Sequence, residues 1–141
     1  MPIVTFHLVE GLYPPEALRE LLVRGSQLYA RALDSPTERV LAFVRMYPAQ
    51  LAAVAGEPVS ERSRKAPYFE FLAPRGGPAD QRQKLLRGLT DLLAEVLDAP
   101  RELIVGVAVR VDPEDWAIAG EPASARRAAQ LAARARAGIQ T

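Results

Sequence analysis

Apolar positions along the chain fall into short unbroken runs that alternate with longer stretches of helical spacing. Residues 2–9, Pro-Ile-Val-Thr-Phe-His-Leu-Val, are β-branched and apolar and predict a mostly buried strand. Glu10-Gly11-Leu12-Tyr13-Pro14-Pro15 breaks the run, because glycine and paired prolines punctuate a turn. Proline then suits the first turn of a helix, where its missing donor costs nothing. Leu18, Leu21, Leu22, Leu28, Tyr29, Ala32 and Leu33 supply an apolar stripe that carries this helix to about residue 33. Asp34-Ser35-Pro36 stops it, and Val40-Leu41-Ala42-Phe43-Val44 forms a second apolar strand. A helix between two strands predicts a βαβ unit with parallel pairing.

The same programme then repeats. Pro67-Tyr68-Phe69-Glu70-Phe71-Leu72 answers the first strand, and Arg75-Gly76-Gly77-Pro78 answers the first turn. Leu97-Asp98-Ala99-Pro100 answers Leu33-Asp34-Ser35-Pro36, and Ile104–Val109 is the matching second strand. Ala53-Val54-Ala55-Gly56-Glu57-Pro58-Val59-Ser60 recurs 64 residues later as Ala117-Ile118-Ala119-Gly120-Glu121-Pro122-Ala123-Ser124. One register kept across so many elements marks a duplication. The expectation is an α+β fold in which two βαβ units, about 2–61 and 66–125, form one domain over residues 1–125. Its four-stranded sheet carries both helices on one face, and a short hairpin or turn closes each unit. The other sheet face is then apolar and uncovered, which predicts an oligomer. Residues 126–141 form an appended tail rich in alanine and arginine, expected to be a helix that packs its alanines on a neighbouring subunit.

Composition narrows the function classes. The 141 residues carry a net charge of +1, which provides no global field for nucleic acid. There is no cysteine, and the one histidine, His7, makes a histidine metal centre or a serine triad a poor fit. No cofactor is expected. The sequence has no apolar run of membrane-spanning length and no signal-peptide pattern at its start, so a cytoplasmic protein without nucleic-acid or membrane partners is expected. Sixteen of the eighteen basic residues are arginine, which binds planar anions better than lysine does.

The candidate chemistry lies at Pro2. Removal of Met1 by an aminopeptidase turns Pro2 into a secondary amine at the mouth of a sheet. An α-amine titrates near ~8 in water, and burial beside cations lowers that value by desolvation and repulsion. A base in that range suits general acid–base catalysis near neutrality. The alternative is that Pro2 simply starts a strand at a position needing no N–H.

This combination of a Pro2 strand, a duplicated βαβ unit, a Leu-Asp-Ala-Pro stop and an Ile-Ala-Gly-Glu-Pro-Ala-Ser closing motif resembles the tautomerase superfamily. Residues 2–11 look like the first strand of the 4-oxalocrotonate tautomerases, and residues 97–124 look like the carboxy-terminal half of that family. The duplicated length and Asp115-Trp116 look like the fused branch typified by the malonate semialdehyde decarboxylases. The resemblance implies a tautomerase (MIF-like) fold, a homotrimer, and Pro2 as catalytic base or acid on a small carboxylate. It implies Arg75 as a carboxylate anchor, where the decarboxylase branch carries two arginines and Ala73 stands in place of the first. It further implies Glu38 as a catalytic acid that places water, with Arg39 beside it, and Trp116 as an aromatic near the entrance. The activity implied is cofactor-independent keto–enol tautomerisation of a 2-oxo acid. Decarboxylation or hydration with Pro2 as acid is the alternative, and a non-catalytic oligomeric binding protein is the second. Arg62, Arg64, Arg110, Glu114 and Asp115 remain candidates without a clear functional match in the family, and His7 is expected to pack or hydrogen-bond within its strand.

Overall fold

The computed structural model describes the backbone of residues 2–139 and their side chains other than those of residues 126–131, 134 and 139. The first unit contains β1 (Ile3–Val9), α1 (Pro15–Ala32), β2 (Leu41–Tyr47) and a two-residue-per-strand hairpin, β3 (Ala53–Val54) and β4 (Glu57–Pro58). The second contains β5 (Tyr68–Pro74), α2 (Ala79–Leu97), β6 (Val105–Val111) and the hairpin β7 (Ala117–Ile118) and β8 (Glu121–Pro122). A third helix, α3 (Ala123–Ile139), starts directly from β8. No helix among the described residues is long and apolar enough to cross a membrane.

The long strands form one sheet in the order β2-β1-β5-β6. Pairing is parallel within each unit and antiparallel where β1 meets β5, with Val4 opposite Phe71 and Phe6 opposite Phe69. The two units are therefore related by a pseudo-twofold axis between the central strands. Side chains alternate across the pleat. Val4, Phe6 and Leu8, together with Phe69, Phe71 and Ala73, are buried with Leu21 and Tyr29 of α1 and Leu85, Leu89 and Leu93 of α2 in one core. Both helices thus cover one face of the sheet.

Two local motifs explain why the repeated sequence signals recur. The hairpin turns place Ala55 and Gly56, and again Ala119 and Gly120, at positive φ (54°, 80°, 55° and 78°). Positive φ at both central residues matches the twist of a two-residue hairpin, and alanine there costs about 1–2 kcal/mol. Asp34 and Asp98, in the two helix stops, also take left-handed conformations, which aspartate tolerates through its short polar side chain.

β2 and β6 run on past the apolar stretches that predict them, to Tyr47 and Val111. Backbone pairing carries them further, since β6 stays in register with Ala73 and Pro74 through Arg110 and Val111. The sheet face away from the helices is uncovered in the single chain. Phe43 and Val105 are 51% and 55% exposed there, and Leu41 and Val107 are 40% exposed.

Candidate active site

The antiparallel meeting of the two units decides which residues share an end of the sheet. β1 and β2 begin where β5 and β6 finish. Pro2 is buried at this end, and its carbonyl accepts the Leu41 N–H at 2.8 Å. Pro67 is also buried, and its carbonyl accepts the Val105 N–H at 3.1 Å, but at the opposite end. Its nitrogen sits in an internal amide and has no basicity. Loss of Met1, on which a Pro2 amine depends, lies outside the described residues.

Arg75 follows β5 directly at the Pro2 end. Its N–H continues the ladder to the Val111 carbonyl at 2.8 Å, and its Nε donates to Asp112 Oδ1 at 2.8 Å. The pair is about half exposed, so its value is orientation of the guanidinium more than stability. Glu38 and Arg39 lie on a 3₁₀ turn, Thr37–Arg39, that leads into β2 at the same end. Both are exposed, and no ion pair joins them. Trp116 follows the 3₁₀ turn Pro113–Asp115 beyond β6; it is half-buried, and its carbonyl accepts the Ala123 N–H at 2.6 Å. Pro2 and Arg75 thus share the middle of one sheet end. Glu38 and Arg39 stand beyond one edge strand and Trp116 beyond the other, so one chain does not gather all five residues.

Two charged residues join this end without a motif to announce them. Arg110 is on β6 directly beside Ala73, and Asp112 holds Arg75. The available signal is pleat alternation, since Ala108 and Arg110 share a face once β6 is known to continue. A shallow recess between the end of α1 and the start of α2 adjoins Ala73 and includes Tyr29, Leu33, Gln81 and Arg82 in its walls.

His7 belongs elsewhere. It stands on the uncovered face, where the Tyr47 hydroxyl lies 2.7 Å from Nδ1 and Glu70 Oε1 lies 3.3 Å from Nε2. Tyr68 donates to Glu70 Oε2 at 2.9 Å. With its proton on Nε2, neutral His7 donates to Glu70 and accepts from Tyr47, so both ring nitrogens are paired. The hydrogen bond to Glu70 also raises the Tyr68 pKa above the ordinary tyrosine value. Among the described residues no group of three or more His, Asp or Glu converges as a metal-binding set.

The fold is shared with known proteins. Residues 67–126 match the family model described as Tautomerase enzyme. No curated protein matches the sequence. Among solved structures, native fused 4-OT is similar over 87% of this chain and 97% of its own, with a TM-score of 0.80 and 22% identity. The protein Pt0534, solved after inactivation by 2-oxo-3-pentynoate, is similar over 88% and 98%, with a TM-score of 0.79 and 22% identity. F6 fused 4-OT, described as an asymmetric trimer, is similar over 87% and 97%, with a TM-score of 0.77 and 23% identity. The fold is common to all of them.

Proposed function

We propose that this chain, a two-unit protein of the tautomerase superfamily, is a cofactor-independent isomerase whose Pro2 amine interconverts keto and enol forms of a small 2-oxo acid. The observation that carries the reading is the placement of buried Pro2 and the Asp112-oriented Arg75 at one end of the sheet. A secondary amine buried at a sheet end that carries arginines is disfavoured as a cation, and so is available as a base. It takes a proton alpha to the carbonyl and returns it on the conjugated carbon or oxygen, while Arg75 holds the carboxylate through charge-assisted hydrogen bonds. The second unit offers no equivalent base, which leaves one site per chain.

Assembly follows from the uncovered face. Phe43, Leu41, Val105 and Val107 expose apolar surface on both edge strands, and three copies that turn these faces inward would cover it. The organisation taken here is one domain over residues 1–125, with residues 126–141 as a tail against a neighbouring copy. Of the tail arginines, the side chains of Arg126, Arg127 and Arg134 lie outside the described residues, while Arg136 is exposed. Assembly would also let Glu38, Arg39 and Trp116, on opposite edges of one sheet, meet at sites between chains. Exposed Glu38 at the Pro2 end supports the second reading, in which Pro2 stays protonated and Glu38 places water for decarboxylation or hydration.

The test is chemical labelling. Protein shown by intact mass to lack Met1 is incubated with 2-oxo-3-pentynoate and assayed with phenylenolpyruvate. A single adduct on the Pro2 peptide with parallel loss of turnover supports the reading. Retention of Met1 in protein from the native host, with neither turnover nor adduct, overturns it in favour of a binding protein.

A further inference from the structure

Pro2 belongs to a row of residues that crosses all four strands. The Leu41 N–H bond to the Pro2 carbonyl ties the first two strands at this level, beside Val40. The β1–β5 register, carried two residues beyond Val4 opposite Phe71, sets Pro2 opposite Ala73. Ala73 in turn pairs with Arg110. Residues in one row project to one face, and the burial of Phe69, Phe71 and Ala73 in the core makes it the helix-covered face. Arg110 therefore shares a face with Pro2 two strands away, about 10 Å between Cα atoms at ordinary strand spacing. Only the methyl group of Ala73 lies between them in the row.

The two arginines at this end differ in their bonding. Arg75 already gives its Nε to Asp112 at 2.8 Å. The exposed Arg110 side chain makes no hydrogen bond or ion pair with any of the described residues. Arg75, Asp112 and Arg110 together leave one positive charge, and it belongs to the unpaired guanidinium.

We propose that Arg110 is a substrate-binding residue: at the exposed end of this row it takes, with Arg75, the carboxylate of a small 2-oxo monoacid, so that C3, the carbon alpha to the ketone, faces Pro2. Arg75, held by Asp112 through its Nε, bounds the site and shares that carboxylate through its remaining donors. One net charge suits a monoacid better than a diacid. The assignment rests on reading this end of the sheet as the active site, and it deepens that reading by adding a second anchor and naming the substrate charge.

Trp116, the only tryptophan, provides a binding signal that does not require turnover. Phenylpyruvate is titrated against the wild type, Arg110→Ala and Arg110→Lys by tryptophan fluorescence, alongside steady-state kinetics with phenylenolpyruvate and thermal melts. The expected result is a rise of about 10- to 100-fold in Kd and KM for Arg110→Ala, the range of a lost charge-assisted hydrogen bond. The kcat should change less, Arg110→Lys should recover part of the loss, and the melts should coincide. Asp112→Asn should shift preference toward a 2-oxo diacid. Arg110→Ala with wild-type Kd and KM overturns the assignment while leaving the Pro2 reading intact. Arg110-dependent binding without turnover in the wild type sinks the Pro2 reading and keeps the anchor. Absence of both binding and turnover sinks both.

Discussion

The two ends of the sheet are built from corresponding residues, yet they differ in the charges they carry. At the first end Val40, Pro2, Ala73 and Arg110 form a row; at the other, the corresponding row is Ile104, Pro67, Leu8 and Met46. The backbone is matched in detail. Arg75 N–H bonds the Val111 carbonyl at 2.8 Å, and its counterpart Glu10 N–H bonds the Tyr47 carbonyl at 2.9 Å. The side chains differ: Arg110 corresponds to Met46 and Arg75 to Glu10, and the proline at position 2 corresponds to Pro67 in the middle of the chain. Duplication preserved the ladder, which depends on backbone pairing, and left the ends free to diverge in charge.

The largest effect should separate the two prolines. Pro2→Ala is expected to lower kcat/KM by about 100-fold or more, the scale of a general base, whereas Pro67→Ala should stay within about twofold. Kinetics with phenylenolpyruvate on proteins of unchanged circular dichroism would check this. Equal losses in the two variants would mean the ends are not functionally distinct.

Next comes the uncovered face, where the units agree. Phe43 and its counterpart Val107 are both exposed, so Phe43→Asp and Val107→Asp should each reduce the mass measured by light scattering to that of one chain. An unchanged mass would remove this face as the interface.

Packing separates the units again. Phe69 fills the space over Gly106, where an added Cβ would lie 2.1 Å from the ring; the corresponding pair is Val4 and Ala42. Gly106→Ala should therefore cost roughly 1–3 kcal/mol by overpacking. In denaturant unfolding, Phe69→Val should be less harmful in that background than alone.

The smallest effects concern two phenols of the first unit, one buried and one half-buried. Tyr29 donates to the Leu72 carbonyl at 2.7 Å from within the core, where its counterpart is Leu93. Tyr29→Phe should cost about 1 kcal/mol. Burial raises the Tyr13 pKa from 10.0 to about 12 and pushes Tyr29 higher still. A folded-state pKa above the unfolded value means that unfolding releases the proton more readily at high pH. The Tyr13 contribution should be complete below pH 10 and lost progressively between pH 10 and about 12. Tyr13→Phe should flatten that limb of the stability curve, and an unchanged limb would show that Tyr13 is not responsible.

The duplication, the two βαβ units, the helix stops and the places of the closing hairpins or turns were legible in the amino-acid sequence. Each rests on a pattern that spans a few neighbours: alternation in strands, spacing of three and four in helices, and Ala-Gly or Asp at positive φ. It also singled out Pro2 and Arg75 through a resemblance to a known family. The tertiary structure alone decided that β1 and β5 meet antiparallel, with Val4 opposite Phe71. That pairing puts the start of one unit against the finish of the other, joins Pro2 to Ala73 and Arg110, and gives Arg75 its partner Asp112. Pairing between distant strands is set by packing of whole faces and by backbone ladders, so no local pattern of residues could announce which charges would share a row with Pro2.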